Sequence, residues 1–219
     1  MITNLKLAGA AIAAIVLGAS VAVSKAPAAD DDGDPRIRTG FEIAPVPLNL
    51  AGKNRALVGL GSYLVNASAD CNGCHTASPQ VEFSAGGNPF FNQPKVIDPS
   101  TYLGGGQDFG PLIPGTPHIV SRNLTPDKTG RAEGGRSFEE FREIIRTGVD
   151  LDHLHPPCSA TVTTSCLPAP FDGNLLQIMP WPAFQNMSDH DIRAIYEYLS
   201  AIPCIAGPPA PSVLHNDCG

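Results

Sequence analysis

The residues best suited to chemistry in this chain of 219 are CNGCH, Cys71 to His75. Two thiols one helical turn apart, with an imidazole directly behind, suit three chemistries: thioether attachment of a haem with the imidazole under its iron, a zinc site, or a thiol–disulfide cycle. A structural zinc site takes four ligands, commonly from a second close Cys or His pair. The other cysteines, Cys158, Cys166, Cys204 and Cys218, form no second CxxC. A thioredoxin-like pair belongs at a strand-to-helix junction within a βαβ pattern, and no such pattern is legible. Haem attachment asks instead for a second axial ligand elsewhere in the chain.

The chain has three methionines, and Met1 lies in the leader. Met187, in NMSDHDI, stands just before Ser188, a natural N-cap, with Ile192 at the fourth helical position; that pair reads as a hydrophobic staple. Met179, in IMPWPAF, precedes a proline in extended chain and is free to aim its thioether inward. It is the candidate sixth ligand, a soft neutral donor that favours reduced iron. His118, His153, His155, His190 and His215 are rivals in principle, although a loop histidine is more ordinarily solvent-facing or hydrogen-bonded. His153 and His155 lie on the approach to Met179. His190, in a helical first turn, and His215, in the tail, are set aside.

Helices must position these groups. Leu57, Leu60, Gly61 and Leu64 share one face of a helix expected over Asn54 to Ala69. Ile192, Ile195, Tyr196 and Leu199 repeat that spacing between the Ser188 cap and Pro203. Gly61 lets the two backbones approach closely. In SFEEFREIIRTG, Ser137 and Glu140 form a capping box, Phe138, Phe141 and Ile145 a buried stripe, and Gly148 the stop. Residues 76–135, rich in Gly and Pro, read as a long Ω-like excursion with little strand. The 22 Gly, 22 Pro and single Trp give a loop-rich fold with a thin core, which leans on disulfides or a cofactor for part of its stability.

The leader places the protein. A lysine at position 6, an uncharged apolar run over residues 7–24, and small residues Ala26 and Ala28 make an export signal. The run is close to the length of a spanning helix, so it serves either as a cleaved signal peptide (1–28) or as a membrane anchor. Lys and Arg number 14 against 21 Asp and Glu, a net charge of −7; loss of Lys6 and Lys25 with the leader takes it to −9. That balance excludes a nucleic-acid binder and suits either solubility or steering toward basic partner surfaces.

The stretches LGSYLVNASADCNGCHT, SRNLTPDKTG, SFEEFREIIRTGVD and MPWPAFQNMSDHDIRAIYEYLSAIP, in this order over about residues 55–204, together resemble the class I c-type cytochromes. They are most similar to single domains of the cytochrome subunits that accept electrons from bacterial periplasmic dehydrogenases. The resemblance implies an all-α cytochrome c fold with N-terminal, middle and C-terminal helices around one haem. An extended linker (29–53) precedes the cytochrome domain (54–204), and a tail (205–219) follows it. It implies one covalent haem c on Cys71 and Cys74, iron ligated by His75 and Met179, and Arg122, Asn123 and Trp181 as donors to the haem propionates.

Two departures stand out. Those subunits commonly carry three CxxCH motifs, and this chain has one. The approach to Met179 is long and contains Cys158 and Cys166; of three pairings open to the four remaining cysteines, short loops favour Cys158–Cys166 and Cys204–Cys218. The expected function is a periplasmic one-electron carrier, not itself an enzyme, linking a dehydrogenase donor to an oxidase or other acceptor. The alternatives are a haem enzyme or sensor that binds peroxide, O2 or NO at a labile sixth position, and a secreted binding module in which CNGCH is a disulfide or zinc site.

Overall fold

The structure, a computed structural model, describes residues 33–219; the leader lies outside the described residues. Helices α1 (Pro35–Ile43), α2 (Arg55–Tyr63) and α7 (Asp189–Leu199) form the frame, with α2 packed between the other two. Helix α2 opens on Asn54, whose Oδ1 accepts from the Leu57 amide at 3.1 Å, and runs on as a π-helical turn, Leu64–Ser68. Because α2 has neighbours on two sides, its buried set is wider than the expected stripe: Val58, Gly59, Leu60 and Gly61 are buried and Leu57 is only half-buried.

The crossings are close because they are made at glycine. A Cβ on Gly61 would overlap the Ala194 carbonyl of α7, and one on Gly40 of α1 would overlap the Gly59 carbonyl of α2. Ser62 Oγ donates to the Gly40 carbonyl at 2.6 Å across the second crossing. The expected extended linker over 29–53 is therefore corrected: it contains α1, begun by the Asp34 cap with Pro35 at its first position and buried through Ile37. Pro is favoured at that position because its missing N–H would have no helical partner anyway.

Helix α5 (Phe138–Thr147) starts with the expected capping box: Glu140 N–H donates to Ser137 Oγ at 3.3 Å, and Ser137 N–H donates to Glu140 Oε2 at 2.8 Å. It ends at Gly148 in the left-handed region. Phe141, Ile144 and Ile145 are buried, and Phe138 and Phe141 pack edge-on or tilted against Tyr196 of α7. Ser188 caps α7 by accepting from the Asp191 amide at 3.0 Å.

The long excursion is pinned to this frame from inside. Tyr102 Oη donates to Asn66 Oδ1 at 2.5 Å and meets Tyr198 Oη at 2.8 Å, and both tyrosines are fully buried. Further on, β1 (Asp108–Pro111) and β2 (His118–Val120) form an antiparallel hairpin. The expectation of an all-α fold is corrected: helices form the frame, but most of the described residues are turn and loop, and they include a two-stranded ribbon. The tail also differs from a free end. Asn123 N–H donates to the Val213 carbonyl at 3.0 Å, Asn216 Nδ2 to the Thr125 carbonyl at 2.7 Å, and Leu214 is buried. Cys204 and Cys218 come to bonding distance with Cα atoms 5.7 Å apart, and Cys158 and Cys166 do so at 5.0 Å, the pairings the short loops favoured.

A partly buried ion cluster joins the loop after α5 to the turn α4 (Ala132–Gly135). Arg122 donates to Asp150 at 2.5 Å and to Asp152 at 3.0 Å, and Arg136 to Asp152 at 2.6 Å. Glu133, its side chain 7% exposed, lies 4.0 Å from Arg122 and 3.8 Å from Arg136. Burial pushes its pKa up to about 7; the two guanidiniums oppose that shift without cancelling it, and Asp152 and Asp150 add to it.

Two tests follow from this frame. Gly61→Ala is expected to destabilise by about 1–3 kcal/mol, since overlap with the Ala194 carbonyl outweighs the gain in helix propensity. Gly33→Ala, with nothing within 4 Å, should fall within about 0.5 kcal/mol of wild type; guanidinium unfolding reads both. Glu133 binds its proton more tightly folded than unfolded, so its contribution is full below the unfolded value of 4.5 and is lost as pH rises to about 7. Glu133→Gln should remove that fall, on the order of 3 kcal/mol at most, in unfolding midpoints compared between pH 5 and pH 7.5.

Candidate functional site

CNGCH forms the single turn α3 (Cys71–Cys74) and the residue after it. The turn is entered through Asp70 in the left-handed region, at φ 47°. Asn72, the second residue of the motif, is buried and fixes the turn to the excursion: its Oδ1 accepts from the Leu103 amide at 2.8 Å. The His75 carbonyl accepts from Gly105 N–H at 2.9 Å. The imidazole Nδ1 lies 2.8 Å from the Arg122 carbonyl oxygen. A carbonyl only accepts, so Nδ1 carries the proton and Nε2 keeps a free lone pair. Burial pulls the His75 pKa down to about 4, which keeps that lone pair available at neutral pH.

The two thiols are not tuned for disulfide exchange. Burial pushes Cys71 up to about 12, with Asp70 adding to the shift. Cys74, exposed, is raised by burial of its sulfur and then by Asp70 and Glu82. Thiol-redox cysteines show the opposite, a lowered pKa in an electropositive setting. Among the described residues, no three His, Cys, Asp or Glu side chains converge as a metal site, so His75 lacks the companions of a structural zinc.

These groups face a cleft of about 1350 Å³, counting its open mouth. One wall is α5 through Phe141, Ile144 and Ile145; α7 adds Ile195 and Leu199; Phe109 and Ile119 of the hairpin close another side. The hairpin that breaks the all-α expectation is thus part of the cleft. Apolar walls, two thiols and an oriented imidazole at the edge, and a thioether are the donor set that haem c takes, so the residues fit that group.

Of the residues singled out from sequence, Cys71, Cys74, His75, Arg122 and Met179 all line the cleft. Asn123 and Trp181 are not among its lining residues. The Asn123 amide donates to the Ile205 carbonyl at 2.7 Å, and its Oδ1 accepts from Thr125 N–H at 3.0 Å, so it ties the tail to the excursion. Trp181 Nε1 donates to the Leu176 carbonyl at 3.2 Å and its ring lies against Gly148. It braces the Met179 segment, which Leu176 N–H also anchors to the Gly148 carbonyl at 2.6 Å. Met187, read as a staple, lines the cleft as well.

Sequence reasoning ranked one group low and missed another. His155 lines the cleft with both ring nitrogens buried and unbonded; its only sequence signal was its place on the approach to Met179. Glu133, on the cleft's polar floor beside Arg122, carried none. Of the other histidines, His118 pairs with Asp108 at 2.8 Å on the surface, and His190 lies 3.8 Å from Asp191.

No protein-family model matches the chain, and no solved structure matches it. Among curated proteins it is 32% identical over 147 residues to the gluconate 2-dehydrogenase cytochrome c subunit of Pantoea cypripedii, covering 66% of this chain and 23% of that protein. It is 26% identical over 161 residues to the fructose dehydrogenase cytochrome subunit of Gluconobacter japonicus, covering 74% and 24%. It is 32% identical over 145 residues to the cytochrome c subunit of the quinone alcohol dehydrogenase of Gluconobacter oxydans, covering 66% and 21%. The matched region spans about a quarter of the length of these relatives. Over about two thirds of its length, and at modest identity, the chain is similar to the cytochrome c subunits of bacterial dehydrogenases.

Proposed function

We propose that this chain is an exported cytochrome c that holds one covalent haem and relays single electrons, in the periplasm, from a dehydrogenase to an oxidase or other acceptor. The observation that carries the reading is the His75 imidazole, fixed by its Nδ1–H on the Arg122 carbonyl with Nε2 free, on the same turn as Cys71 and Cys74. When bound, haem supplies a one-electron iron couple. Cys71 and Cys74 would hold it through thioethers, and His75 Nε2 would ligate its iron. Met179 would be the second protein ligand, its segment braced by Trp181 and by the Leu176–Gly148 bond. The apolar walls keep water from the iron, and Cys74, exposed, marks the face that partners meet. The net charge of −7 steers that encounter toward basic surfaces.

Attachment to the membrane through residues 7–24 concerns the part of the chain outside the described residues. Among those described, no helix is long and apolar enough to cross a membrane.

In an exporting host that attaches haem, the wild-type chain should gain the mass of one haem and stain for haem on a denaturing gel. Cys71→Ala combined with Cys74→Ala should do neither; a wild-type chain with no haem overturns the proposal. Met179→Ala should abolish the methionine-to-iron charge-transfer band and lower the reduction potential. Met187→Ala should keep the band and lose about 1–3 kcal/mol of stability. Loss of the band in Met187→Ala alone would move the ligand to Met187, and a wild-type spectrum of an open sixth position would favour a sensor of peroxide, O2 or NO.

A further inference from the structure

His155 is the polar side chain of the cleft with nothing to bond. Both its ring nitrogens are shut off from solvent, and neither meets a partner. A buried imidazole nitrogen left unmet carries an uncompensated desolvation cost, so a group that enters the cleft should answer at least one of them. The backbone on either side is fixed. Leu154 N–H donates to Asp150 Oδ2 at 3.2 Å, Leu167 N–H to the Pro156 carbonyl at 2.9 Å, and Cys158 N–H to the Leu167 carbonyl at 3.0 Å. A Cβ on Gly173 would overlap the His155 carbonyl, so residues 155–157 lie close against that part of the loop.

The guanidinium and ring N–H donors near the cleft are engaged. Arg122 is bound by Asp150 and Asp152, and Glu133 sits between Arg122 and Arg136; His75 Nδ1 uses the Arg122 carbonyl, and Trp181 Nε1 uses that of Leu176. Around Arg122, two guanidiniums already face three carboxyl groups, so a further anion there finds little free positive charge. His155 brings a donor with no acid of its own. The polar atoms that haem offers are its iron and two carboxylates, and the axial positions fall to His75 and Met179.

Resting on the haem reading above, we propose that the His155 imidazole donates a hydrogen bond to a carboxylate of the bound haem, positioning the cofactor and raising its reduction potential. The sign follows from charge: a donor withdraws negative charge from a carboxylate near the iron, and negative charge favours the ferric state.

The test uses the full chain with haem attached. His155→Phe, which keeps the ring and removes both nitrogens, should shift the ferrous–ferric balance toward ferric about three- to tenfold at fixed ambient potential; a tenfold shift equals about 59 mV for one electron. His155→Gln, which keeps an N–H donor, should return to within about twofold of wild type. The methionine charge-transfer band should persist in both. In the reduced wild type, the His155 ring N–H should exchange slowly with solvent, a reading that needs no variant to fold. An unchanged balance in His155→Phe, or a fast-exchanging ring proton, overturns the proposal. A change of axial-ligand spectrum in His155→Phe makes His155 an iron ligand and overturns it as well. If the wild type carries no covalent haem, the functional reading falls and this inference falls with it, whereas a haem protein indifferent to His155 loses only the inference.

Discussion

The hydrogen bond from His75 Nδ1–H to the Arg122 carbonyl is the constraint on which the rest of the structure depends. It fixes which nitrogen is protonated, turns the other toward the cleft, and joins the CNGCH turn to the segment just after β2, 47 residues away in sequence. A ring held this way cannot swing to serve another partner, and second-sphere bonds of this kind set a metal-binding histidine's orientation and basicity. Arg122 then extends the constraint in the other direction. Its guanidinium is clamped by Asp150 and Asp152, and the Asp150 amide donates to the Asn174 carbonyl at 2.8 Å, at the start of the segment that carries Met179. One residue thus ties the imidazole side of the cleft, by its backbone, to the thioether side, by its side chain.

That arrangement needs a frame that does not shift. The α1–α2 and α2–α7 crossings are made at glycines, where main chain meets main chain with no side chain between. Interiors packed to this density transmit small displacements, so the floor under the cleft is rigid where its rim is loop. The rim is in turn held by the tyrosine pair against Asn66 and by the two cysteine pairs, one before Met179 and one fastening the tail. The thin aromatic core expected from composition is compensated by these ties.

How much of this the sequence disclosed depended on range. The capping box at Ser137 and the Ser188 cap are local signals and stand as expected; CNGCH is likewise legible in the sequence, because spacing alone defines it. Helix α1 was missed although Asp34 and Pro35 announce a helix start; its buried face is short, and Gly40 weakens its helical pattern while being the residue that permits its close packing. The hairpin was missed because its strands are three and four residues long with no alternation. The use of Arg122's carbonyl was unreadable, since a backbone oxygen carries no residue identity. The resemblance offered Asn123 and Trp181 as haem donors; in the fold the Asn123 amide serves the Ile205 carbonyl and the Trp181 indole that of Leu176. His155 could not be ranked above its fellow histidines until the structure left its nitrogens bare.

The account is tested most directly by counting iron and electrons in the purified, exported protein: a reductive titration followed in the visible spectrum, beside a metal analysis of the same sample. It predicts one iron and one electron per chain, with a low-spin c-type spectrum in the reduced state. Zinc or no metal, with two titratable thiols and no electron taken up by a haem, would contradict it.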